Sequence, residues 1–438
     1  MSGEPESGSA PGPLRTWVGA VGAPAAFAIL WLAPLPLETE AHRLAAIFGA
    51  VLVAWVTEVV PIAVTALLIA PLLVVTGVTD AKDAFRHYAD PLLYLFVGGF
   101  FIAEAMSAHG LDRRIAKAIV TSRGVAGEPN RIRIALMVAG GLLSMWISNT
   151  ASTAILVPIL LGMLGSQRGR AATGALLALA YACSIGGLGT LVGSPPNVIT
   201  VRLLREGGAE LTFFDWTLVG VPTALVVGLA VYVVTRVMLP SGALEEAAEA
   251  GEEEREGGGQ ADELFGNVPA TWSRGEVVTA IAFGLAVVGW VFPGLGKAAG
   301  VPGADALKAV LHPGVVALFA SSILFFVPDG RGERVLPWRR AARIDWGIIL
   351  LFGGGIALGT QLVDTGLAAA MSRGFVALTG IESLWPLTAV ACVFTIFFTE
   401  VCSNTASANM LVPLVIAIAE ELGLPAAPPA LAVGLAAS

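Results

Sequence analysis

Apolar segments long enough to cross a lipid bilayer recur along the chain, and they constrain the fold more than any other feature. A membrane-spanning helix needs roughly 17–25 mostly apolar residues, and the sequence supplies such segments repeatedly. Of the 438 residues, 56% are hydrophobic and only 13% are charged, which excludes a water-soluble core with a polar surface. Because backbone groups in lipid must be satisfied internally, the pattern predicts an all-α polytopic membrane protein.

Two of the apolar stretches are too long for one span and carry a polar triplet near the middle. These are residues 132–164, with Ser148-Asn149-Thr150, and residues 384–420, with Ser403-Asn404-Thr405. Non-helical backbone at membrane depth is tolerated only where it is buried in protein or lines a cavity. We therefore predict two re-entrant hairpins with the triplets at their tips. Single spans are predicted at residues 17–35, 42–58, 61–78, 92–109, 172–204, 216–238, 276–293, 313–328 and 347–365.

The two triplets belong to an internal repeat. SNTASTAILVP, which starts at Ser148, and SNTASANMLVP, which starts at Ser403, are identical at eight of eleven positions, with an offset of 255 residues. LFVGG, ending at Gly99, and LFGGG, ending at Gly355, match at an offset of 256. Each half holds an odd number of predicted spans plus a hairpin, which predicts inverted-topology repeats. A shared packing motif of small residues would explain the glycines but not the paired asparagines.

The repeat and the composition together predict the domain organisation. The stretch 243–263 holds nine acidic residues and only Arg255 as a base, which indicates a solvated linker. Basic residues cluster in three predicted loops, around 113–133, 168–170 and 331–343, and these would face the cytoplasm together with the amino terminus. The expected location is the inner cell membrane, with Trp31, Trp216 and Trp290 in the interfacial aromatic belt. The predicted regions are a disordered tail (1–16), a first transmembrane helix (17–41), repeat 1 (42–238, with hairpin 132–164 and broken helix 172–204), an acidic cytoplasmic linker (239–275) and repeat 2 (276–438, with hairpin 384–420).

The broken helix and the triplets have the chemistry of an ion and anion site. Hydroxyl and amide oxygens are neutral ligands suited to sodium, while their hydrogens can face a carboxylate or sulfate oxygen. Within Gly186–Thr200, Gly193 and Pro195-Pro196 break the helix and Ser194 can cap the half that restarts, although a simple proline kink is the alternative. Residues 144–158, 181–201 and 399–413 contain no Lys, Arg or His. A dianion would therefore need bound cations as countercharge, which predicts cation coupling.

The paired SNT triplets, the GSPPN break at Gly193–Asn197 and TEVVPIAVTALL at Thr57–Leu68 resemble the divalent anion/sodium symporter family. That family carries dicarboxylates, citrate or sulfate. The resemblance implies a homodimer in the membrane lipid, in which a transport domain moves as an elevator against a scaffold domain. It also implies one sodium site of Ser144, Ser148, Asn149 and Gly193 and a second of Thr399, Cys402 and Asn404. The expected anion-binding residues are Ser148, Asn149, Thr150, Ser194, Pro195, Ser403, Asn404 and Thr405.

Other function classes are disfavoured by the residues themselves. No nucleophile with a base and no HExxH arrangement stands in the broken segments, so we expect neither an enzyme nor a cofactor other than Na⁺ as coupling ion, and no nucleic-acid partner. An ion channel would not require two oxygen-rich ion sites beside an anion site. The open alternatives are a sulfate or citrate carrier, proton coupling and anion exchange.

The end of the sequence carries a separate expectation. The second Pro-Pro-Asn break of the family would follow Ala430, and the chain ends at Ser438 without it. Fourteen helical residues from Pro425 reach about 21 Å, against a hydrocarbon core of about 30 Å. We therefore expect repeat 2 to be truncated, and these residues to be an inactive part of a longer chain.

Overall fold

The computed structural model describes residues 12–122, 129–164, 170–209, 211–238 and 268–438. These residues contain twenty α-helices, two short 3₁₀ turns and one isolated β-bridge, and no strand. The predicted all-α class is thus confirmed. The helices are α1 (Pro13–Leu32), α2 (Thr39–Thr57), α3 (Ile62–Val75), α4 (Ala81–Arg86), α5 (Leu93–His109), α6 (Leu111–Val120), α7 (Pro129–Ser144), α8 (Asn149–Leu164), α9 (Arg170–Gly186), α10 (Pro195–Glu206), α11 (Phe213–Met238), α12 (Arg274–Ala298), α13 (Ala304–Val310), α14 (Pro313–Phe326), α15 (Trp338–Ala341), α16 (Trp346–Asp364), α17 (Leu367–Thr379), α18 (Leu384–Thr399), α19 (Asn404–Glu421) and α20 (Ala427–Ala436).

Several helices have the length and apolarity of a membrane span. Within the described residues there are seven, or up to eight if α17 and α18, which meet at a bend of 100°, form one broken span. The seven are Pro13–Leu32, Thr39–Thr57, Ala81–His109, Ala172–Gly189, Phe213–Val237, Arg274–Ala298 and Trp346–Asp364.

Helix α1 begins at Pro13, four residues before the predicted start of the first helix at residue 17, because proline is favoured in the first turn of a helix. Most of the predicted tail and of the acidic linker, residues 1–11 and 239–267, lies outside the described residues.

The described residues form two compact units. Those of the first unit fall in Met1–Leu93, Ile199–Glu210 and Asp345–Ala437, and its core is built by α2, α3, α16 and α19. The LFGGG motif of α16 lies at the centre of this packing. A Cβ on Gly354 would lie 2.3 Å from the carbonyl oxygen of Ala66, and one on Gly355 would lie 1.9 Å from the side chain of Asn409. The glycines therefore allow α3 and α19 to approach α16 more closely than any side chain would permit.

The first unit also buries an ionic network. The guanidinium of Arg202 in α10 pairs with the carboxylate of Asp90, which precedes α5, and lies 2.8 Å from a carboxylate oxygen of Glu206. The side chain of Asp90 is only 8% exposed and that of Arg202 is 21% exposed. Asp90 also accepts the backbone N–H of Leu92 at 2.8 Å. The network joins two segments that are 112 residues apart in the chain.

The second unit comprises described residues of Tyr94–Val198 and Leu211–Ile344, together with Ser438. Its aromatic centre stacks Trp146, Phe213 and Trp290, with Phe213 and Trp290 ring centroids 5.3 Å apart. The belt prediction is wrong for Trp216 and Trp290, which are 2% and 3% exposed. Each indole N–H donates to a backbone carbonyl, Trp216 to Leu188 and Trp290 to Pro313, both at 2.9 Å. Those hydrogen bonds satisfy the polar atom of a buried ring.

The two sequence copies adopt the same local structure, one copy in each unit. Gly110 and Gly366 take the left-handed conformation, with φ of 75° and 73°, and each separates a long apolar helix from a shorter helix. Helices α7 and α18 end at Ser144 and Thr399, and α8 and α19 begin at Asn149 and Asn404. Every one of these positions is related by an offset of 255 or 256. Each triplet therefore lies at a turn between two helices, and the re-entrant path of the two hairpins stays a prediction.

Candidate functional site

The first hairpin turn, residues 145–148, places the first triplet at the start of α8. The Ser148 hydroxyl accepts the backbone N–H of Ala151 at 3.2 Å, so Ser148 caps the helix. The hydroxyl of Ser144, which is fully buried, donates to Oδ1 of Asn149 at 2.6 Å. Asn149 is half-buried, whereas Ser148 and Thr150 are exposed. The turn thus holds the amide of Asn149 in a defined orientation.

The helix break, residues 187–194, lies between α9 and α10. It starts with a 3₁₀ turn at Gly187–Gly189 and ends where Pro195 opens α10. The side-chain amide of Asn197 donates to the carbonyl oxygens of Gly187 and Thr190, both at 2.7 Å. These two bonds replace backbone hydrogen bonds that the break has lost, and the side chain of Asn197 is completely buried. Asn197 therefore stabilises the break as a fixed structure.

Thr190 connects the helix break to the first hairpin turn. Its hydroxyl donates to the carbonyl oxygen of Met145 and accepts the backbone N–H of Gly193 at 3.2 Å. Trp216 of α11 donates to the carbonyl oxygen of Leu188 from the other side. The break is thus fixed to a hairpin and to a long helix of the same unit.

Four residues meet where the hairpin turn and the helix break touch. A Cβ on Gly187 would lie 2.7 Å from Oδ1 of Asn149 and 3.1 Å from the carbonyl oxygen of Gly193. A Cβ on Gly193 would lie 2.6 Å from the carbonyl oxygen of Gly187 and 3.0 Å from that of Ser144. The close approach of Gly187 and Gly193 is thus bordered by the amide oxygen of Asn149 and by backbone carbonyl oxygens. This donor set suits a hard monovalent or divalent cation.

The structure brings together three of the four residues expected in the first ion site. Ser144, Asn149 and Gly193 converge, and Gly187 joins them, although its sequence context does not distinguish it from neighbouring glycines. Ser148 is adjacent in the chain, but its hydroxyl is used as a helix cap. Ser194 is buried and Pro195 is partly buried at the start of α10. Thr190, Asn197 and Gly187 were not predicted, although each is a polar residue or a glycine within the segment predicted to break.

The second hairpin turn, residues 400–403, lies in the first compact unit and has the same hydrogen-bond pattern as the first hairpin turn. The Thr399 hydroxyl donates to Oδ1 of Asn404 at 2.7 Å, which matches the bond from Ser144 to Asn149. Ser403 caps α19 by accepting the backbone N–H of Ala406 at 3.2 Å. Cys402 and Thr405 are buried, while Asn404 is exposed. Both turns therefore present an asparagine amide that a hydroxyl five residues earlier orients.

Comparison with known proteins gives consistent matches over most of the chain. Residues 52–437 match the model of the citrate transporter family, CitMHS. An uncharacterized transporter from Haemophilus influenzae is 32% identical over 92% of this chain and 83% of its own length. The sodium-dependent dicarboxylate transporter SdcS of Staphylococcus saprophyticus is 31% identical over 82% of this chain and 69% of its own length. SdcS of Staphylococcus aureus is 30% identical, with coverages of 90% and 76%.

Proposed function

Because the chain belongs to the citrate transporter family, we propose that it is a sodium-coupled symporter of small divalent anions, in particular C4-dicarboxylates such as succinate. The membership confirms the family resemblance found in the sequence, and it makes the chain a membrane transporter and not an enzyme. The SdcS relatives, which are about 30% identical to this chain, are named as sodium-dependent dicarboxylate transporters. Those names support the same ion and the same class of substrate here.

The convergence of Asn149 with Ser144, Gly187 and Gly193 carries the proposal. These residues offer neutral oxygens of the kind that sodium prefers, in a part of the chain without Lys, Arg or His. The backbone amides at the starts of α8 and α10 favour an anion nearby. We assign the first sodium site to Ser144, Asn149 and Gly193 with Gly187, and a second to Thr399, Cys402 and Asn404. The anion-binding residues that the resemblance implies, in the two triplets and at Ser194, stay a prediction.

The proposal includes a mechanism of alternating access. Identical local structures at offsets of 255 and 256 residues support two repeats, and repeats of inverted topology are a common basis for alternating access. We propose that the protein is a homodimer with an elevator-type movement. We further propose that it lies in the inner cell membrane with its amino terminus in the cytoplasm. The clustering of basic residues in three loops supports this orientation.

Sodium and anion are expected to bind with positive coupling. A pocket without basic side chains holds a dianion poorly until cations arrive, so sodium should tighten succinate binding at least about fivefold, the lower end of ordinary coupling energies. The measurement is succinate affinity of purified protein by calorimetry in sodium and in choline buffer, together with succinate uptake into proteoliposomes driven by a sodium gradient. Equal affinity in both buffers, or uptake driven only by a proton gradient or by counter-anion, would contradict the proposal.

Replacing Gly187 by alanine should weaken the first sodium site. The new Cβ would stand 2.7 Å from Oδ1 of Asn149, so the amide must move away from the other oxygens. We expect the sodium concentration for half-maximal uptake to rise about tenfold, which corresponds to about 1.4 kcal/mol. Gly284→Ala in α12 is the matched control, because a Cβ there meets no atom within 4 Å. Unchanged sodium dependence of Gly187→Ala would remove Gly187 from the site.

A further inference from the structure

An apolar groove in the second compact unit lies beside the helix break. It has a volume of about 380 Å³ and is lined by α7, α9, α11 and the 3₁₀ turn. Every lining side chain except Tyr232 is aliphatic, methionine or glycine. The groove is therefore separate in chemistry from the oxygen-lined space at Asn149.

The walls of the groove are two helix faces of equal length. Along α7 the lining runs from Ile134 to Met145, the residue that follows the helix, and on α11 it runs from Val221 to Tyr232. Each stretch spans eleven residue steps, or about 16 Å of helix. On α9 the lining is made of Ala182, Ile185 and Gly186. The groove therefore extends along these helices.

One end of the groove lies at the first hairpin turn and the helix break. Met145 of the first hairpin turn contacts Gly189 of the 3₁₀ turn, where a Cβ would lie 2.9 Å from the methionine methyl carbon. The carbonyl oxygen of Leu188 lies against Gly220, which precedes Val221. Met145, Gly189 and Val221 therefore mark the same end. Ile134 and Tyr232 lie at the opposite end.

That opposite end is basic. Arg236, in the last turn of α11, donates to the Tyr232 hydroxyl at 3.3 Å and lies over its ring at 6.0 Å. Arg131 stands exposed in the first turn of α7, three residues before Ile134. Between the two ends the wall on α11 faces outward, with Leu225 and Leu229 exposed by 69% and 63%. An occupant would thus be apolar along its length and anionic at one end.

We propose that this groove binds an acyl chain of an anionic phospholipid, with the lipid phosphate at Arg236 and Tyr232. Lipid is the solvent of an outward-facing apolar helix, and an arginine beside a tyrosine hydroxyl supplies charge-assisted donors to a phosphate oxygen. The end of the acyl chain lies against Met145 and Gly189. The bound lipid therefore supports the hairpin turn and the helix break at the point where Thr190 joins them.

Native mass spectrometry and thermal unfolding of the purified chain test this site without measuring transport. Wild-type protein in detergent is mixed with dioleoylphosphatidylglycerol or with dioleoylphosphatidylcholine. We expect retention of phosphatidylglycerol and a higher unfolding temperature with it than with phosphatidylcholine, because a ligand that binds only the native state stabilises it. Gly228→Leu fills the groove, since a Cβ there has open space, and Arg236→Gln removes the charge. Gly284→Leu is the control on α12.

The variants separate the proposed occupant from others. We expect Gly228→Leu to lose the retained lipid and the thermal shift, Arg236→Gln to lose the preference for phosphatidylglycerol, and Gly284→Leu to behave as wild type. Equal effects of the two lipids on wild type, or full lipid retention by Gly228→Leu, would overturn the proposal. A change of oligomeric state in Gly228→Leu, measured by light scattering, with its lipid response intact would overturn it in favour of a second copy of the chain.

Discussion

Asn149→Ala and Asn404→Ala are each expected to abolish sodium-driven anion uptake while the chain remains folded. Each substitution removes an amide oxygen that a hydroxyl orients, from Ser144 in one turn and from Thr399 in the other. A bond to a charged partner contributes about 1.5–3 kcal/mol, so ion affinity should fall by roughly 10- to 150-fold at each site. Uptake falls further because the same amide is expected to contact the anion.

Initial rates of succinate uptake into proteoliposomes measure this loss, and the elution profile and unfolding temperature in detergent report folding. Thr153→Val is a matched control in the next turn of α8, because it removes a hydroxyl that donates to the backbone carbonyl oxygen of Asn149 and leaves the Asn149 amide in place. It should transport like the wild type. Wild-type-like uptake by either asparagine variant would show that the corresponding turn is not part of the site.

Arg202→Met should strongly destabilise the folded chain. The change leaves Asp90, 8% exposed, and Glu206 without their cation inside the first compact unit. Removing one partner of a buried ion pair typically costs about 3–5 kcal/mol. Arg373→Met is the control, because Arg373 pairs with Glu421 at 3.6 Å on the surface and such pairs contribute about 0–1 kcal/mol.

Thermal unfolding in detergent, followed by circular dichroism, distinguishes the two arginines. We expect Arg202→Met to unfold well below the wild type and Arg373→Met to unfold close to it. Adding Asp90→Asn to Arg202→Met should recover part of the stability, since the uncompensated charge is then gone. Equal unfolding temperatures for the two arginine variants would refute a structural role of the network.

Local signals made much of this architecture predictable. Long apolar segments predict the helices, and two segments that are too long for one span and carry a polar triplet near the middle predict two re-entrant hairpins. The structure has a turn between two helices at each triplet. The break at Gly193 and Pro195 follows from backbone chemistry that is independent of the rest of the fold. Asn149 and Gly193 belong to these local signals, whereas Ser144 is expected in the site only from the family resemblance.

Features that depend on tertiary contacts were not predictable in this way. A tryptophan in an apolar segment has the same sequence context whether it faces lipid or a buried carbonyl group. The burial of Trp216 was therefore not predictable from the sequence. The sequence places Asn197 beside the predicted proline break but does not predict its role. That role depends on its hydrogen bonds to the carbonyl oxygens seven and ten residues earlier. The pairing of Arg202 with Asp90 crosses 112 residues and leaves no local pattern.

The hydroxyl that holds each asparagine has a consequence for how an ion would enter and leave. In both turns the amide oxygen already accepts a hydrogen, at 2.6 Å from Ser144 and 2.7 Å from Thr399. That hydrogen occupies one of the two lone pairs of the amide oxygen, so a cation can use the other. Where the hydroxyl oxygen is also a ligand, the hydroxyl must turn its hydrogen away, and this loss reduces the free energy gained on binding. The hydroxyl therefore lowers the affinity for the ion. It also keeps an empty turn ordered, which is what a carrier needs in order to return without its cargo.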